Sequence, residues 1–327
     1  MTARPTHDLL TKDANPFRRA IKYAFYDWTR EMSTAKRIAA WSGIFLQGWA
    51  IWAFSVHSAP WDAKWPTGLL HNLGIAGAYL LGYCITNATL TSELIRKTQL
   101  ETDQAAARKI QQTLIPQEVE AVPGYEVATF YRPFREVGGD YFDVIALSGE
   151  RTLFVIADVS GKGVSASLLS ANIQALVRSR AQGELDLAGM AGQISQHVNQ
   201  YTPAERYATA AFILLHRATG EVTYVNAGHN PPMIAGSASL QLGATGVPLG
   251  LFPGASYEAS KTTLSLGETL LLYTDGLTDS IAGDAPERQV REAMTGTPAE
   301  TLEHLKKLIQ PKLSEDDVTL VVVRRNG

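Results

Sequence analysis

Five aspartates stand out by their settings: Asp140 in VGGDYFD, Asp158 in VIADVSGKG, Asp275 in LLYTDGLTD, and the neighbours Asp316 and Asp317 in SEDDVTLVVV. Each lies at or beside the end of a short apolar run and close to glycine or other small residues. A strand end projects a side chain rigidly, and glycine lets a carbonyl or a ligand come close. Carboxylates gathered in this way repel one another unless a cation sits among them, and an all-oxygen set suits Mg²⁺ or Mn²⁺. Any one of them alone reads as an ordinary turn or cap residue. The repeated context is what points to a metal.

Other chemistries fit less well. Cys84 is the single cysteine, which excludes an intramolecular disulfide and a cysteine-based zinc site. SGKG lacks the Walker spacing, since Lys162 is followed by Gly163 and Val164, and VSASLL lacks the G-x-S-x-G of a nucleophile elbow. His197 and His216 read as ordinary surface or core residues, and His229 in NAGHNPP reads as part of a hairpin turn. A formal net charge of −3 gives no field for holding a polyanion, so nucleic acid is not an expected partner.

The elements that must position these aspartates begin near Tyr125. YEVATFYRP, TLFVIADV, ATAAFILLHR, EVTYVNAGH, ETLLLYTDG and VTLVVVRR read as strands bounded by turn residues. Helices are predicted over 164–181, 186–200 and 300–309. Grouped strands with paired helices indicate an α+β sandwich.

The front of the chain differs. Residues 38–61 run for about 24 residues without a charge, and a second charge-free run covers 65–92. Each is long enough to cross a hydrocarbon core of about 30 Å. Arg18, Arg19, Lys22, Arg30, Lys36 and Arg37 precede the first run, and Arg96 and Lys97 follow the second. The connection between them carries only Asp62 and Lys64, with Trp61 and Trp65 at its ends. Two spans with both ends on the cytoplasmic side are expected. Beyond Ser92 the sequence turns to helix formers without Gly or Pro until Pro116, predicting a linker helix of about 24 residues. Leu100, Ala107, Ile110 and Leu114 sketch an incomplete heptad seam, as compatible with a solvated spacer as with a homodimer.

In order, EVGGDYFD, ADVSGKGVSASLL, NAGHNPP, YTDGLTD and DDVTLVVV resemble the PPM (PP2C-like) serine/threonine phosphatases of the bacterial RsbU/SpoIIE type. The resemblance runs over about 109–325. It implies two packed antiparallel sheets flanked by helices, with a two-metal centre at one edge. By resemblance Asp158 bridges two divalent cations, Mn²⁺ or Mg²⁺, and Val159 offers its carbonyl to the second. Asp275 and either Asp316 or Asp317 complete the first metal's ligands, and Asp140 stands near the second. Arg135 matches the phosphate-binding arginine of the animal enzymes by its spacing to Asp140, whereas Ser160 stands where those enzymes carry a histidine. Paired cations would activate a water for in-line attack on phosphorus.

The expected organisation is a cytoplasmic segment (1–37), a two-span membrane region in contact with lipid (38–90), a helical linker (91–116) and a cytoplasmic phosphatase domain (117–327). By resemblance the substrate is a phosphorylated STAS-domain protein, an anti-anti-sigma factor. The alternatives are a catalytically inactive phosphatase-fold scaffold and a membrane sensor.

Overall fold

The computed structural model describes residues 32–57, 67–114, 116, 119–134, 137–182, 185–203, 205–236, 239–310, 313 and 316–326. The chain divides into two compact units, Met1–Thr102 and Asp103–Gly327.

The first unit holds helix α1 (Thr34–His57), and α2 (Thr67–Leu114) begins in it. α2 continues without a break through the composition change at Ser92, where the sequence suggests a separate linker helix. No glycine or proline lies between Tyr83 and Leu114 to stop it. Lys36 pairs with Glu93, Gln47 Nε2 donates to Thr86 Oγ1 at 2.9 Å, and Ala50 and Ala53 pack with Ile75, so α1 and α2 run antiparallel. The closest approach is between glycines: a Cβ on Gly43 would stand 2.9 Å from the Gly82 carbonyl oxygen, and one on Gly82 would stand 2.6 Å from that of Gly43. Small residues with a polar pair beside them are how apolar helices associate where no hydrophobic force drives them together.

The outward faces carry Ile38, Phe45, Ile51 and Phe54 on α1, and Leu70, Leu73, Leu80 and Leu81 on α2, all exposed. Among the described residues one helical stretch, Gly68–Leu100, is long and apolar enough to cross a membrane by length and composition. The expectation of two spans is therefore met by one candidate. In α1 the indoles of Trp41, Trp49 and Trp52, with Ser42 and Gln47, dilute the hydropathy of an otherwise charge-free run.

The second unit is built on two five-stranded antiparallel sheets. Its strands are β1 (Tyr125–Arg132), β2 (Tyr141–Leu147), β3 (Arg151–Val159), β4 (Ala208–His216), β5 (Glu221–Ala227), β6 (Met233–Ala235), β7 (Ser239–Gln241), β8 (Ser260–Thr263), β9 (Thr269–Tyr273) and β10 (Val318–Arg325). One sheet has the order β1-β10-β9-β6-β7 and the other β2-β3-β4-β5-β8. Helices α3 (Val164–Arg180) and α4 (Leu187–Tyr201) cover the second sheet; α5 (Asp275–Asp279), α6 (Pro286–Ala293) and α7 (Pro298–Leu308) cover the first.

This layering explains why the central strands read as unbroken apolar runs. Along β3, Phe154 and Ile156 face the core between the sheets, while Leu153, Val155 and Ala157 pack under α3 and α4. Along β10, Val321 and Val323 face the inner core, and Leu320 and Val322 pack under the helices of the other side. A strand buried on both faces needs no polar alternation. The two outer helix layers also hold the two sheets' ends in register, and the aspartates sit at those ends.

The glycine contact between α1 and α2 is directly testable. Gly43→Leu is expected to cost the helix pair about 1–3 kcal/mol by overpacking, and Gly48→Leu should be neutral because nothing lies within 4 Å of a Cβ there. Circular dichroism melts of the two variants in detergent would read the difference.

Candidate active site

Asp158 is the penultimate residue of β3, paired across to Thr209 of β4. The chain then turns through residues 160–163 into α3. Gly161 (φ 93°) and Gly163 (φ 80°) adopt backbone conformations that side-chain-bearing residues rarely take. The loop is pinned from one side: Ser160 exchanges hydrogen bonds with the backbone of Tyr207, and Arg206 donates to the Ser160 carbonyl (2.6 Å) and to Ser165 Oγ (3.0 Å). Ser160 thus shapes the loop, its Oγ accepting from the Tyr207 N–H.

A second loop lies against the end of β3. A Cβ on Gly139 would stand 3.0 Å from the Val159 carbonyl oxygen and 3.7 Å from Asp158 Oδ1, so only glycine lets Asp140 approach β3 this closely. Asp140 is buried, and its Oδ2 accepts hydrogen bonds from Thr274 Oγ1 (2.9 Å) and Thr319 Oγ1. Those threonines come from the other sheet, one closing β9 and one within β10, so this carboxylate ties the two sheets together. Asp275 follows Thr274 directly and opens α5. Gly276 lies against the Asp317 carbonyl, where a Cβ would overlap it.

The adjacent pair, indistinguishable by spacing, separates in the structure. Asp317 is buried, and both its carboxylate oxygens are taken by backbone: Phe134 N–H donates to Oδ1 (2.7 Å) and Gly139 N–H to Oδ2 (2.6 Å). Its work is to hold the loop before β2. Asp316 keeps a side chain 37% exposed, with Oδ2 2.8 Å from Lys162 Nζ. The carboxylate with access to solvent is therefore Asp316.

Charge crowding marks the cluster. Burial, then Asp275, Asp316 and Asp317, push the Asp158 carboxyl up to about 7, with Lys162 opposing. Burial, then Asp279 and Asp316, raise Asp275, again against Lys162. Asp140 is raised by burial, then by Asp158 and Asp317, while its two threonines pull it back. Arg135 lies outside the described residues.

Four residues that do work here carry no signal strong enough to be picked from sequence. Thr274 and Thr319 look like strand residues, Arg206 sits in a turn, and Lys162 attracts notice only by failing the Walker pattern. A threonine next to the aspartate in TDG, and one two positions after it in DDVT, are the available hints.

Among the described residues no group of three or more His, Cys, Asp or Glu side chains is arranged to hold a metal ion. The donor chemistry nonetheless fits hard divalent cations: oxygen alone, acidic neighbours that raise the Asp158 carboxyl, and a carbonyl beside a glycine. Among the described residues the cationic group paired with Asp316 is the Lys162 ammonium.

His229, expected in a turn, follows β5 and is buried. Its backbone N–H donates to Asn226 Oδ1 at 2.7 Å, and Nδ1 lies 2.8 Å from Thr209 Oγ1. Burial holds its imidazole down at about 4, partly offset by the Tyr273 backbone. It belongs to the scaffold beside β4.

Two packed antiparallel sheets with helices outside, and an acidic cluster at the strand ends, define a PP2C-like fold, that of the protein serine/threonine phosphatases. Residues 148–326 match the family described as Stage II sporulation protein E (SpoIIE), and the chain belongs to that family. Similar curated proteins are Protein IcfG of Synechocystis sp. (24% identical; 73% of this chain, 44% of that protein) and, from Bacillus subtilis, the phosphoserine phosphatases RsbP (27%; 54% and 45%) and RsbU (24%; 80% and 81%). The chain thus spans under half the length of the first two. Similar structures are the RsbU and RsbW domains of Rv1364c from Mycobacterium tuberculosis (27% identity, TM-score 0.57, covering 64% of this chain and 63% of that one) and the SiaA-PP2C domain of Pseudomonas aeruginosa (19%, 0.61, 70% and 98%). A third is RsbX in complex with magnesium (21%, 0.53, 63% and 98%).

Two measurements probe this site. Asp317→Ala, which strands two backbone N–H groups, should destabilise the domain by about 2–4 kcal/mol in a denaturant titration, and Asp316→Ala without metal should change it far less. His229 is protonated in the unfolded chain below about pH 6.5 but not in the folded one until about 4. Its contribution is therefore complete above pH 6.5 and is lost as the pH falls toward 4, on the order of 3 kcal/mol. His229→Gln should flatten that part of the stability profile.

Proposed function

We propose that the chain is a membrane-anchored, metal-dependent phosphatase that removes phosphate from serine or threonine of a signalling protein, by resemblance a STAS-domain anti-anti-sigma factor. The reading is carried by one observation: Asp158, Asp275 and Asp316, far apart in sequence, meet at the ends of β3, β9 and β10, where Asp275 and Asp316 raise the Asp158 carboxyl and Asp316 raises that of Asp275. A fold has no stability reason to gather like charges, so the arrangement suits a site that receives cations.

In this reading Asp158, Asp275 and Asp316 would hold the metals, with the Val159 carbonyl and Asp140 toward the second ion, and Asp317 would brace the loop instead of ligating. Arg135 would meet the phosphoryl oxygens. Bound divalent cations would supply an acidified water and neutralise charge on the phosphoryl group. The protein's own part is positional: the threonine pair and the backbone N–H groups fix the carboxylates before any ion arrives, so little reorganisation is left for the reaction. Magnesium in the RsbX structure supports the choice of a hard cation.

The membrane anchor is supported by the exposed apolar faces of α1 and α2 and by the glycine contact between them. We assign both helices as spans. Lys36 and Arg96 converge on Glu93, putting basic residues of both helices at one end of the pair, which suits a cytoplasmic end and a cytoplasmic catalytic domain.

The test is phosphate release from a phosphorylated STAS-domain protein by the full chain in detergent, with Mn²⁺ and with EDTA. Release should require the metal, and Asp158→Asn or Asp275→Asn should lower it by at least about a hundredfold, the scale on which a reaction loses an essential electrostatic group. Undiminished turnover in either variant would refute the assignment.

A further inference from the structure

Lys162 is the one long side chain on the loop between β3 and α3, and the loop is unusually fixed. Two positive-φ glycines flank the lysine, and Arg206 and Tyr207 anchor the preceding Ser160. From this stage the lysine reaches back over the acidic cluster. Its Nζ lies 2.8 Å from Asp316 Oδ2 and 5.3 Å from the centre of the Phe134 ring. Its charge also acts on Asp158 and Asp275, opposing what the carboxylates do to each other.

Its place is chemically pointed. The ammonium is a compact cation on a flexible stem, and it rests on the carboxylate that has solvent access. A divalent ion would bind that oxygen at about 2.1 Å, and the two cations would repel each other across one lone pair. The side chain is 41% exposed, so it has open solvent to swing into.

We propose that Lys162 is a tethered counter-ion: it neutralises the acidic cluster while no metal is bound, and it must leave Asp316 for a divalent ion to enter, so that it sets the metal affinity of the site. The inference rests on the metal-dependent reading above and adds a residue that governs loading. Arginine in its place would still pair with Asp316, in the bidentate manner of a guanidinium, whereas methionine would keep the stem without the charge.

The experiment is Mn²⁺ binding to the full chain in detergent, followed by the electron paramagnetic resonance signal of free Mn²⁺, for the wild type, Lys162→Met and Lys162→Arg. Lys162→Met is expected to bind Mn²⁺ about tenfold more tightly, as removing a nearby like charge at low effective dielectric requires, and Lys162→Arg to stay within about threefold of the wild type. A thermal melt in EDTA separates direct pairing from a diffuse field. There Lys162→Met should lower the midpoint by about 2–4 °C, should have a clearly smaller effect in an Asp316→Asn background, and should match the wild type once Mn²⁺ is saturating. An Mn²⁺ affinity unchanged or weakened in Lys162→Met, or a melting shift undiminished by Asp316→Asn, overturns the proposal and leaves the phosphatase reading standing. Absence of Mn²⁺ binding in wild type and variants alike overturns both.

Discussion

Repulsion among carboxylates is the constraint around which the second unit is arranged. Asp158, Asp275, Asp316, Asp317 and Asp140 come from four separate stretches of chain, and three of them are each made tolerable by a different device. Asp140 takes two buried hydroxyls, Asp317 takes two backbone N–H groups, and Asp316 takes an ammonium. Burial and its acidic neighbours raise the Asp158 carboxyl to about 7, and Asp140 and Asp275 are raised as well. Hydrogen bonds to the charged form and a nearby cation lower the cost of ionisation, and burial raises it.

The sandwich supplies the rigidity that such a set requires. Thr274 and Thr319 belong to neighbouring strands β9 and β10, and Asp140 precedes β2 of the opposite sheet, so the hydrogen bonds at this carboxylate cross between layers. Behind them the inner core is filled by Phe142, Phe154, Ile156, Leu272 and Val321, all buried. The buried Asp143, two strand positions along from Tyr141, is clamped by Arg178 of α3 at 2.7 and 2.9 Å, which fastens the helix after the catalytic loop to the strand after the glycine loop. The acidic edge is therefore braced from both sheets and from a helix.

Much of this was legible in the residues. The six apolar runs are strands where expected, since double-sided burial leaves an apolar signature that turn residues punctuate. The aspartates were visible because each sits at or beside the end of an apolar run, Asp140 and Asp275 next to glycine. What stayed hidden depends on three-dimensional pairing. Asp316 and Asp317 differ only in what faces them, and the threonines carry no pattern apart from their contact with Asp140. The continuity of α2 past Ser92 was also missed, because a change from apolar to charged residues marks a change of surroundings and not a break in backbone hydrogen bonding.

The position of β10 has a bearing on how the protein is made. It lies between β1 and β9, with Tyr125 opposite Arg325, so its sheet lacks a central member until residues 318–325 have left the ribosome. The pairing of β1 and the outer edge of β9 must wait, and both edges could pair wrongly in the meantime. The helices at the front need no such partner and can assemble while translation continues. Biogenesis thus has a built-in order, in which the apolar pair is settled well before the acidic edge exists.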